Sequence, residues 1–323
     1  MRASALRIGS AHGKAILLGE HTVVHGTPAI ALPVPALTVH ASARPGAGSG
    51  CAHEASPPDQ ADEWKYRFQT GNGADRPDFG PRIAAERALS SWGLADEVFD
   101  ITMRCGIPPG RGLGSSAACA AAAVRALAVL LDQPCDDDLL YESVQRGENA
   151  AHGRASGVDA RAVLARGPIW FQRGTARPLP FDFDATLVLA DTGSAPGTRE
   201  AVALVGSHFD ADARAGERLL SFATSLIEAA AGDLRTGRSE ALGAKLSQFQ
   251  AILDQLGVST PEIDVVVAAA MSAGALGAKL TGGGLGGCVL ALTHPPAAAG
   301  VAHAMSEAGA RRTWALSLEG MAR

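Results

Sequence analysis

The hydrophobic pattern of the chain changes between alternation, which is typical of strands, and a spacing of three to four residues, which is typical of helices. Val98–Ile107 alternates apolar and polar residues and is predicted as a half-buried strand. Ala117–Leu131 is an alanine-rich run that is predicted as a helix. Between them, Pro108–Ser116 interrupts both patterns with three glycines and two serines. We therefore predict a strand, a glycine loop and a helix, with Ser115 and Ser116 as helix caps.

The remaining segments follow the same two patterns. Strands are predicted over Ala15–Leu18, Ala29–Ala43, Trp64–Gln69, Thr186–Ala190, Gly277–Leu280, Cys288–Leu292 and Thr313–Leu318, and helices over Phe79–Trp92, Ala213–Leu234, Glu240–Leu256, Pro261–Ala273 and Ala297–Ala308. A further helix starts at Asp136 and carries Glu148 near its end. Asp159 is predicted in a loop that enters a strand, and Thr198 and Thr260 are predicted to cap helices.

Two segments without a clear pattern indicate how the chain is divided. Arg44–Asp62 is rich in Gly, Pro and Ser and is predicted as a loop between two strands. Pro178–Asp184 is predicted as an interdomain linker. Because 323 residues are many for one hydrophobic core, we expect two domains, at residues 1–182 and 183–323.

The composition limits the possible classes of partner. Hydrophobic residues make up 47% of the chain and charged residues 19%, which excludes a disordered protein. The net charge of −5, without a basic block, argues against nucleic acid as a partner. The five cysteines lack metal-binding spacing and are expected to be reduced thiols of a cytoplasmic protein. Neither a signal region nor a membrane-spanning apolar run is present, so no membrane partner is expected.

The glycine loop is a candidate phosphate site. Gly110, Gly112 and Gly114 allow positive φ and close approach of a ligand to the main chain. The helix that follows presents unpaired N–H groups and the positive end of its dipole, which together bind phosphate. A simple strand-to-helix turn is the competing interpretation, since one glycine motif is weak evidence. The loop lacks the Gly-Lys-Ser/Thr ending of a Walker A motif and is a poor dinucleotide fingerprint.

Polar residues at the end of one strand are a second candidate. Glu20 and His21 directly follow the buried strand AILL, at a place where proteins commonly bind ligands. They are equally compatible with a simple turn. Lys14 precedes the same strand, and an isolated lysine is usually a solvated charge. A second glycine-rich segment, Thr281–Gly287, lies near the C-terminus.

Three segments in order resemble the motifs of the GHMP kinase superfamily: Gly13–Gly26 (GKAILLGEHTVVHG), Pro108–Ala118 (PPGRGLGSSAA) and Lys279–Cys288 (KLTGGGLGGC). With His152–Asp159 as a fourth segment, the chain most resembles the mevalonate kinase family of bacterial type. The resemblance implies a two-domain α/β and α+β GHMP kinase fold. Its N-terminal domain would resemble ribosomal protein S5 domain 2, its C-terminal domain would be ferredoxin-like, and the active site would lie in the cleft between them.

The resemblance also implies roles for individual residues. The implied nucleotide-binding residues are Pro109, Gly110, Arg111, Gly112, Leu113, Gly114, Ser115 and Ser116, and the implied substrate-binding residues are Glu20, His21, Thr198, Gly282, Gly283 and Gly284. Ser116 and Glu148 correspond to Mg²⁺ ligands, and Asp159 to the catalytic carboxylate. Lys14 corresponds to a lysine that contacts this carboxylate and the transferred phosphoryl group. ATP and Mg²⁺ are therefore the expected cofactors, mevalonate the expected substrate, and a homodimer the expected assembly.

The chemistry of phosphoryl transfer agrees with these roles. The reaction needs positioning and charge neutralisation more than covalent catalysis. A hydroxyl, a carboxylate and phosphate oxygens are suitable ligands for Mg²⁺. A carboxylate can accept the proton of the attacking hydroxyl, and an ammonium group can stabilise developing negative charge.

Two residues depart from the family pattern. His12 stands where a proline is usual, at the entry to the strand and away from the catalytic groups. Leu285 stands where a glycine is usual, and a leucine does not easily adopt positive φ. We therefore expect the second glycine-rich segment to have a different shape.

Other members of the superfamily are alternatives. Galactokinases have an Arg and an Asn before their Gly-Glu-His-like residues, where this chain has Lys14. Homoserine kinases lack a catalytic aspartate that corresponds to Asp159. Phosphomevalonate kinase and mevalonate diphosphate decarboxylase need further cationic residues for a phosphorylated substrate. A ligand-binding sensor without catalytic activity is the alternative from another class, although Lys14, Ser116, Glu148 and Asp159 are all present.

Overall fold

The computed structural model describes residues 8–46, 54–56, 63–71, 79–153, 155–181, 184–194 and 198–318. The strands are β1 (Ile8–Leu18), β2 (Ala29–Pro45), β3 (Glu54–Ser56), β4 (Trp64–Gln69), β5 (Phe99–Cys105), β6 (Ile169–Gln172), β7 (Thr175–Pro178), β8 (Thr186–Asp191), β9 (Gly277–Thr281), β10 (Cys288–Thr293) and β11 (Arg312–Ser317). The helices are α1 (Gly80–Ser91), α2 (Ser115–Leu131), α3 (Asp137–His152), α4 (Val158–Leu164), α5 (Thr198–Ala211), α6 (Ala213–Arg235), α7 (Ser239–Gln255), α8 (Pro261–Ser272) and α9 (Ala298–Glu307).

The chain forms two compact units, and neither is a continuous stretch of sequence. The first contains residues 1–13, 34–109 and 114–164. The second contains Lys14–Pro33, Gly110–Leu113 and Ala165–Arg323. The sheet order is β3-β4-β5-β2-β6-β7, with β1 also paired to β2, and a separate sheet has the order β11-β8-β10-β9.

The core of the first unit is built around helix α2. This helix contacts α1, α3, α4 and strand β5. Its alanines are buried along almost the whole helix, and such small side chains allow close packing. Gly9 shows how close this packing is, since a Cβ there would lie 2.3 Å from the Ala122 carbonyl oxygen. In this unit the Val39–Pro45 part of β2 pairs antiparallel with β5.

The core of the second unit is a four-stranded antiparallel sheet. Cys288 of β10 lies opposite Asp191 of β8 on one side and Thr281 of β9 on the other. Strands β8, β9 and β10 are buried at every position. Because successive side chains of a strand point to opposite faces, both faces of the sheet are covered at these three strands, whereas the edge strand β11 is partly exposed. Helices α7, α8 and α9 contact it.

Most of the predicted elements are confirmed with end residues that differ by at most two positions, whereas β1 begins at Ile8 instead of the predicted Ala15. Asp136 caps α3 by accepting the Leu139 N–H at 2.8 Å, and Thr260 caps α8 by accepting the Ile263 N–H at 3.4 Å. No helix in the described ranges is long and apolar enough to cross a membrane.

The predicted caps of α2 are wrong. The helix begins at Ser115, and Gly114 occupies the N-cap position with φ 74°. The Gly114 carbonyl accepts the Ala118 N–H at 2.9 Å, which starts the helix at Ser115 and places both serines inside its first turn. Glycine adopts this left-handed conformation at little cost, so Gly114, the last glycine of the loop, takes the N-cap position in place of a serine.

The predicted surroundings of Asp159 are also wrong. Asp159 lies in the first turn of α4 and not in a loop that enters a strand. The Gly157 carbonyl accepts the Arg161 N–H at 3.1 Å, which begins a helical turn. The small residues around Asp159 fit a helix as well as a loop, so the sequence pattern did not separate the two.

The segment Arg44–Asp62 is only partly a loop. β2 continues to Pro45, and Glu54–Ser56 forms β3, which pairs antiparallel with β4. Residues 47–53 and 57–62 of the predicted loop, like residues 182–183 of the predicted linker, lie outside the described residues.

Candidate active site

The glycine loop has the backbone conformation that the sequence predicts. Gly110, Gly112 and Gly114 have φ values of 70°, 76° and 74°. A Cβ on Gly112 would lie 2.7 Å from the Thr281 carbonyl oxygen and 2.8 Å from the Gly282 Cα. The two glycine-rich segments therefore meet at Gly112 and Gly282, where only glycines fit.

Lys14 is joined to the same loop through its main chain. Its N–H donates to the Leu113 carbonyl oxygen at 2.9 Å. Only 1% of the residue is exposed, so Lys14 is buried and is not the solvated charge that is usual for an isolated lysine. Lys14 also acts electrostatically on its neighbours: burial raises the pKa of Glu20 and the Lys14 charge opposes this shift, whereas burial lowers the pKa of Lys279 and the Lys14 charge adds to that shift.

Glu20 forms a buried ion pair with Lys279, which the motifs in the sequence did not predict. Lys279 Nζ donates to Glu20 Oε1 and, at 2.6 Å, to the Leu280 carbonyl oxygen. Both side chains are fully buried. Burial raises the pKa of Glu20 and lowers that of Lys279, while their mutual attraction opposes both shifts. A lysine in the middle of an otherwise apolar strand was a signal that a buried acid must lie opposite it.

Glu20 retains one carboxylate oxygen for a further interaction. Its Oε2 is buried and accepts no hydrogen bond from any residue in the described part of the chain. Buried polar atoms are nearly always paired, so an unpaired carboxylate oxygen indicates a position for a ligand donor or a water molecule. This geometry is compatible with the substrate-binding role predicted for Glu20.

His21 is held against the second glycine-rich segment. Its Nε2 lies 2.9 Å from the Gly283 carbonyl oxygen, so Nε2 carries the proton and donates it. The residue adopts φ 61° and is 8% exposed. Burial lowers the pKa of His21 to about 4, and the bond to Gly283 opposes this shift. The side chain is therefore neutral at physiological pH.

Acid is expected to destabilise the protein through His21. The folded-state pKa lies below the ordinary value of 6.5, so the unfolded chain binds more protons between about pH 6.5 and pH 4. The contribution of His21 to the free energy of unfolding is fully present above pH 6.5. It is lost as the pH falls to 4 and below, and the total loss is about 3 kcal/mol. Urea unfolding of wild type and His21→Gln across this range measures the effect. The variant should lose this part of the pH dependence, whereas His303→Gln, at an exposed position on α9, should retain it.

Ser116 and the chain segment of Glu148 lie together within the first unit. A Cβ on Gly80, at the start of α1, would lie 3.4 Å from Ser116 Oγ and 3.0 Å from the Gly147 carbonyl oxygen. Glu148 follows Gly147 on α3, and its side chain is 5% exposed, with Nε2 of His152 4.0 Å from its Oε2. A hydroxyl and a buried carboxylate are hard oxygen ligands, which fit Mg²⁺.

A metal ion bound here would need further ligands from outside the protein. Among the described residues, no group of three or more His, Cys, Asp or Glu side chains could hold a metal ion. Mg²⁺ commonly binds through one or two protein ligands together with phosphate oxygens and water. A hydroxyl and a carboxylate therefore fit a magnesium–nucleotide complex, in which phosphate oxygens supply further ligands.

Asp159 and Thr198 occupy the first turns of helices. Asp159 is half-buried in the first turn of α4. Thr198 is the first residue of α5. The side chain of Thr198 lies outside the described residues, so its cap and its substrate contact stay predictions.

Leu285 corrects the shape expected for the second glycine-rich segment. Its φ is 55°, so the leucine adopts the left-handed conformation that we expected it to avoid. Its N–H donates to the Val258 carbonyl oxygen at 2.7 Å, which holds the backbone in place. Gly284 also lies against Val258, since a Cβ on Gly284 would lie 2.5 Å from the Val258 carbonyl oxygen. Contacts with Val258 therefore offset the local strain at Leu285.

Comparison with known proteins gives matches along most of the chain. The GHMP kinases N terminal domain matches residues 82–167, and the GHMP kinases C terminal domain matches residues 230–311. The mevalonate kinase of Aeropyrum pernix is 35% identical over 296 residues, which cover 88% of this chain and 87% of that protein. The mevalonate kinase of Pyrococcus horikoshii is 33% identical over 297 residues, with 88% of each chain covered.

Solved structures resemble the whole chain. The L. major mevalonate kinase in complex with R-mevalonate has a TM-score of 0.76 and 25% identity, covering 98% of this chain and 96% of that one. The Methanococcus jannaschii mevalonate kinase has a TM-score of 0.77 and 20% identity, with 98% of both chains covered.

Proposed function

The chain belongs to the GHMP kinases and, within them, to the mevalonate kinase family, and from this membership we propose that it phosphorylates the primary C5 hydroxyl of mevalonate with ATP. The product would be 5-phosphomevalonate, in the mevalonate route to isoprenoids. The predicted two-domain GHMP kinase fold is confirmed by the matches to both domains. The observation that carries the proposal is the 35% identity over 296 residues, which extends far beyond any single motif.

The glycine loop is proposed to bind the phosphates of ATP. Its glycines have positive φ values, which allow a ligand to approach the main chain, and the start of α2 adds the positive end of a helix dipole. Pro109 to Ser116 contribute mainly through the main chain in this proposal. The serines need not cap the helix, so their hydroxyls are available to a ligand.

Ser116 and Glu148 are proposed to hold Mg²⁺ together with the ATP phosphates. When bound, Mg²⁺ would neutralise phosphate charge and orient the phosphoryl group. The burial of the Glu148 side chain keeps its carboxylate in a fixed position.

Asp159 and Lys14 are proposed to carry the chemical step. A carboxylate oxygen of Asp159 accepts the proton of the C5 hydroxyl while the hydroxyl oxygen bonds to the γ-phosphorus and the bond to the β-phosphate oxygen breaks. The Lys14 ammonium stabilises the negative charge on the transferred group. Its burial strengthens this effect because little water screens it.

Glu20, His21, Thr198 and Gly282–Gly284 are proposed to bind the acceptor. His21 is neutral and already donates its Nε2–H to Gly283, so it shapes the site and does not supply a cation for the substrate carboxylate. Oε2 of Glu20 can accept a hydroxyl group of the substrate. The proposal also includes a homodimer and a cytoplasmic location with its supply of ATP.

A substrate panel tests the function. Purified protein with ATP and Mg²⁺ is assayed for ADP formation with mevalonate, 5-phosphomevalonate, galactose and homoserine. We expect turnover with mevalonate and much lower kcat/KM with the other three compounds. Turnover with one of these instead would identify another kinase of the family. Nucleotide binding without turnover of any acceptor would indicate the alternative function, a ligand-binding sensor without catalytic activity.

A further inference from the structure

Arg111 of the glycine loop is joined to the end of strand β8. Its Nε lies 3.1 Å from Asp191 Oδ1, and its Nη2 donates to the Gly193 carbonyl oxygen at 3.0 Å. The same Asp191 oxygen accepts the main-chain N–H of Gly193 at 2.8 Å. One carboxylate oxygen therefore fixes both the guanidinium group and the turn that follows the strand.

The guanidinium group is covered by protein and is not presented to a ligand. The side chain of Arg111 is 14% exposed and that of Asp191 is 8% exposed. Nη1 is buried and has no hydrogen-bond partner among the residues that the structure describes. Because the charge is paired with a carboxylate at short distance, it contributes little net attraction to a phosphate. Arg111 therefore connects the glycine loop to the end of β8.

The second glycine-rich segment takes part in the same network. The N–H and the hydroxyl of Thr192 both donate to the Gly287 carbonyl oxygen, at 2.9 and 2.8 Å. The Gly287 N–H donates to the Ser194 carbonyl oxygen at 2.9 Å. A Cβ on Gly287 would lie 3.2 Å from the Arg111 carbonyl oxygen. The glycine loop, the end of β8 and the Gly287 region are thus connected within the second unit.

We propose that Arg111 is a positioning residue that couples nucleotide binding to acceptor binding. This inference rests on the proposed function, in which the glycine loop holds the ATP phosphates and the second glycine-rich segment, through Gly282–Gly284, contacts the acceptor. β8 ends at Asp191, and the residues that follow it, Thr192 and Ser194, bond to Gly287 of the second glycine-rich segment. A nucleotide that orders the main chain at Arg111 also orders this strand end through the guanidinium group. Because linkage is reciprocal, each ligand then strengthens the binding of the other.

Steady-state kinetics of Arg111→Met, Arg111→Lys and Asp191→Asn test the coupling. Arg111→Met is expected to raise the KM for ATP and the KM for mevalonate together, each by about tenfold, with a smaller change in kcat. Arg111→Lys should behave similarly, because a single ammonium group cannot contact Asp191 and Gly193 with the geometry of the fork. The double variant Arg111→Met/Asp191→Asn should be little worse than either single variant, since both break one interaction.

Arg238→Met is the matched control. Arg238 pairs with buried Asp233 at 2.8 Å in the same unit, away from the glycine-rich segments. This variant should leave both KM values unchanged, and Lys245 still pairs with Asp233 in it. An Arg111→Met variant with lower stability and unchanged KM values would reduce Arg111 to a structural role. A rise in the KM for ATP alone, restored by lysine, would make Arg111 a phosphate ligand. Either result overturns the coupling.

Hydrogen exchange with ADP separates this inference from the proposed function, because it needs no acceptor. In the wild type, ADP should slow exchange of the amides of Thr192–Ser194, and in Arg111→Met this protection should disappear while ADP remains bound. No protection in the wild type, or equal protection in the variant, contradicts the inference. Failure of the wild type to phosphorylate mevalonate contradicts the proposed function and leaves the exchange result valid.

Discussion

Asp159→Asn is expected to lower kcat for mevalonate phosphorylation by roughly 10²- to 10⁴-fold, the usual contribution of a general base. An amide has the size of the carboxylate and does not accept the proton of the attacking hydroxyl. The proposed ATP contacts are made by other residues, so nucleotide affinity should not change. The measurements are steady-state kinetics in a coupled ADP assay and calorimetry with a non-hydrolysable ATP analogue.

Asp138→Asn is the control for this variant. Asp138 is also an aspartate in the first turn of a helix, but it lies exposed on α3. Its replacement should leave kcat unchanged, which excludes a general effect of lost charge at a helix start. If Asp159→Asn retained kcat within a few-fold, Asp159 would only orient the hydroxyl, and proton transfer would follow the chemical step.

Lys279→Met is expected to lower the free energy of unfolding by about 3–5 kcal/mol, because it leaves Glu20 as a buried charge without its main partner. The methionine fills a similar volume, so packing alone should change little. The loss should also depend on pH. Burial holds the folded-state pKa of Glu20 above its ordinary value, and removal of Lys279 should raise it further. The variant should therefore be closest to wild type below about pH 4.5 and lose stability as the pH rises.

Two further variants show whether the unpaired charge of Glu20 causes the loss of stability in Lys279→Met. Glu20→Leu/Lys279→Met removes both charges and should recover most of the lost stability, since apolar replacements of buried ion pairs are often neutral. Lys245→Met is the matched control, because Asp233 keeps Arg238 as a second cation. Urea unfolding between pH 4 and pH 8 measures all three variants. A loss with Lys279→Met that is independent of pH would indicate a packing defect instead.

Local features of the structure could be predicted from the sequence. The positive φ of Gly110, Gly112 and Gly114 and the cap at Asp136 depend on residues within one turn of the chain. The same is true of the antiparallel pair β9 and β10, which a short segment connects. Family resemblance added the order of the motifs and hence the two-domain fold, which the comparisons confirm.

Contacts between distant residues could not be predicted in this way. Lys279 and Glu20 are 259 positions apart, and Arg111 and Gly193 are 82 positions apart. No periodic pattern connects such residues, although a lysine in a buried strand does indicate that a partner exists. Leu285 shows the opposite error, because a local rule about φ was overridden by a hydrogen bond to Val258. The roles of the individual site residues stay predictions.

The discontinuous second unit has a consequence for how the chain folds. Hydrogen bonds between Ile16 and Thr281 join residues 265 positions apart. Contacts of such separation slow folding, because a long loop must close before they form. During synthesis, Glu20 leaves the ribosome long before Lys279 exists, and the second unit stays incomplete until β9 has been made. Removal of the first 33 residues would thus take away an interior part of the second unit.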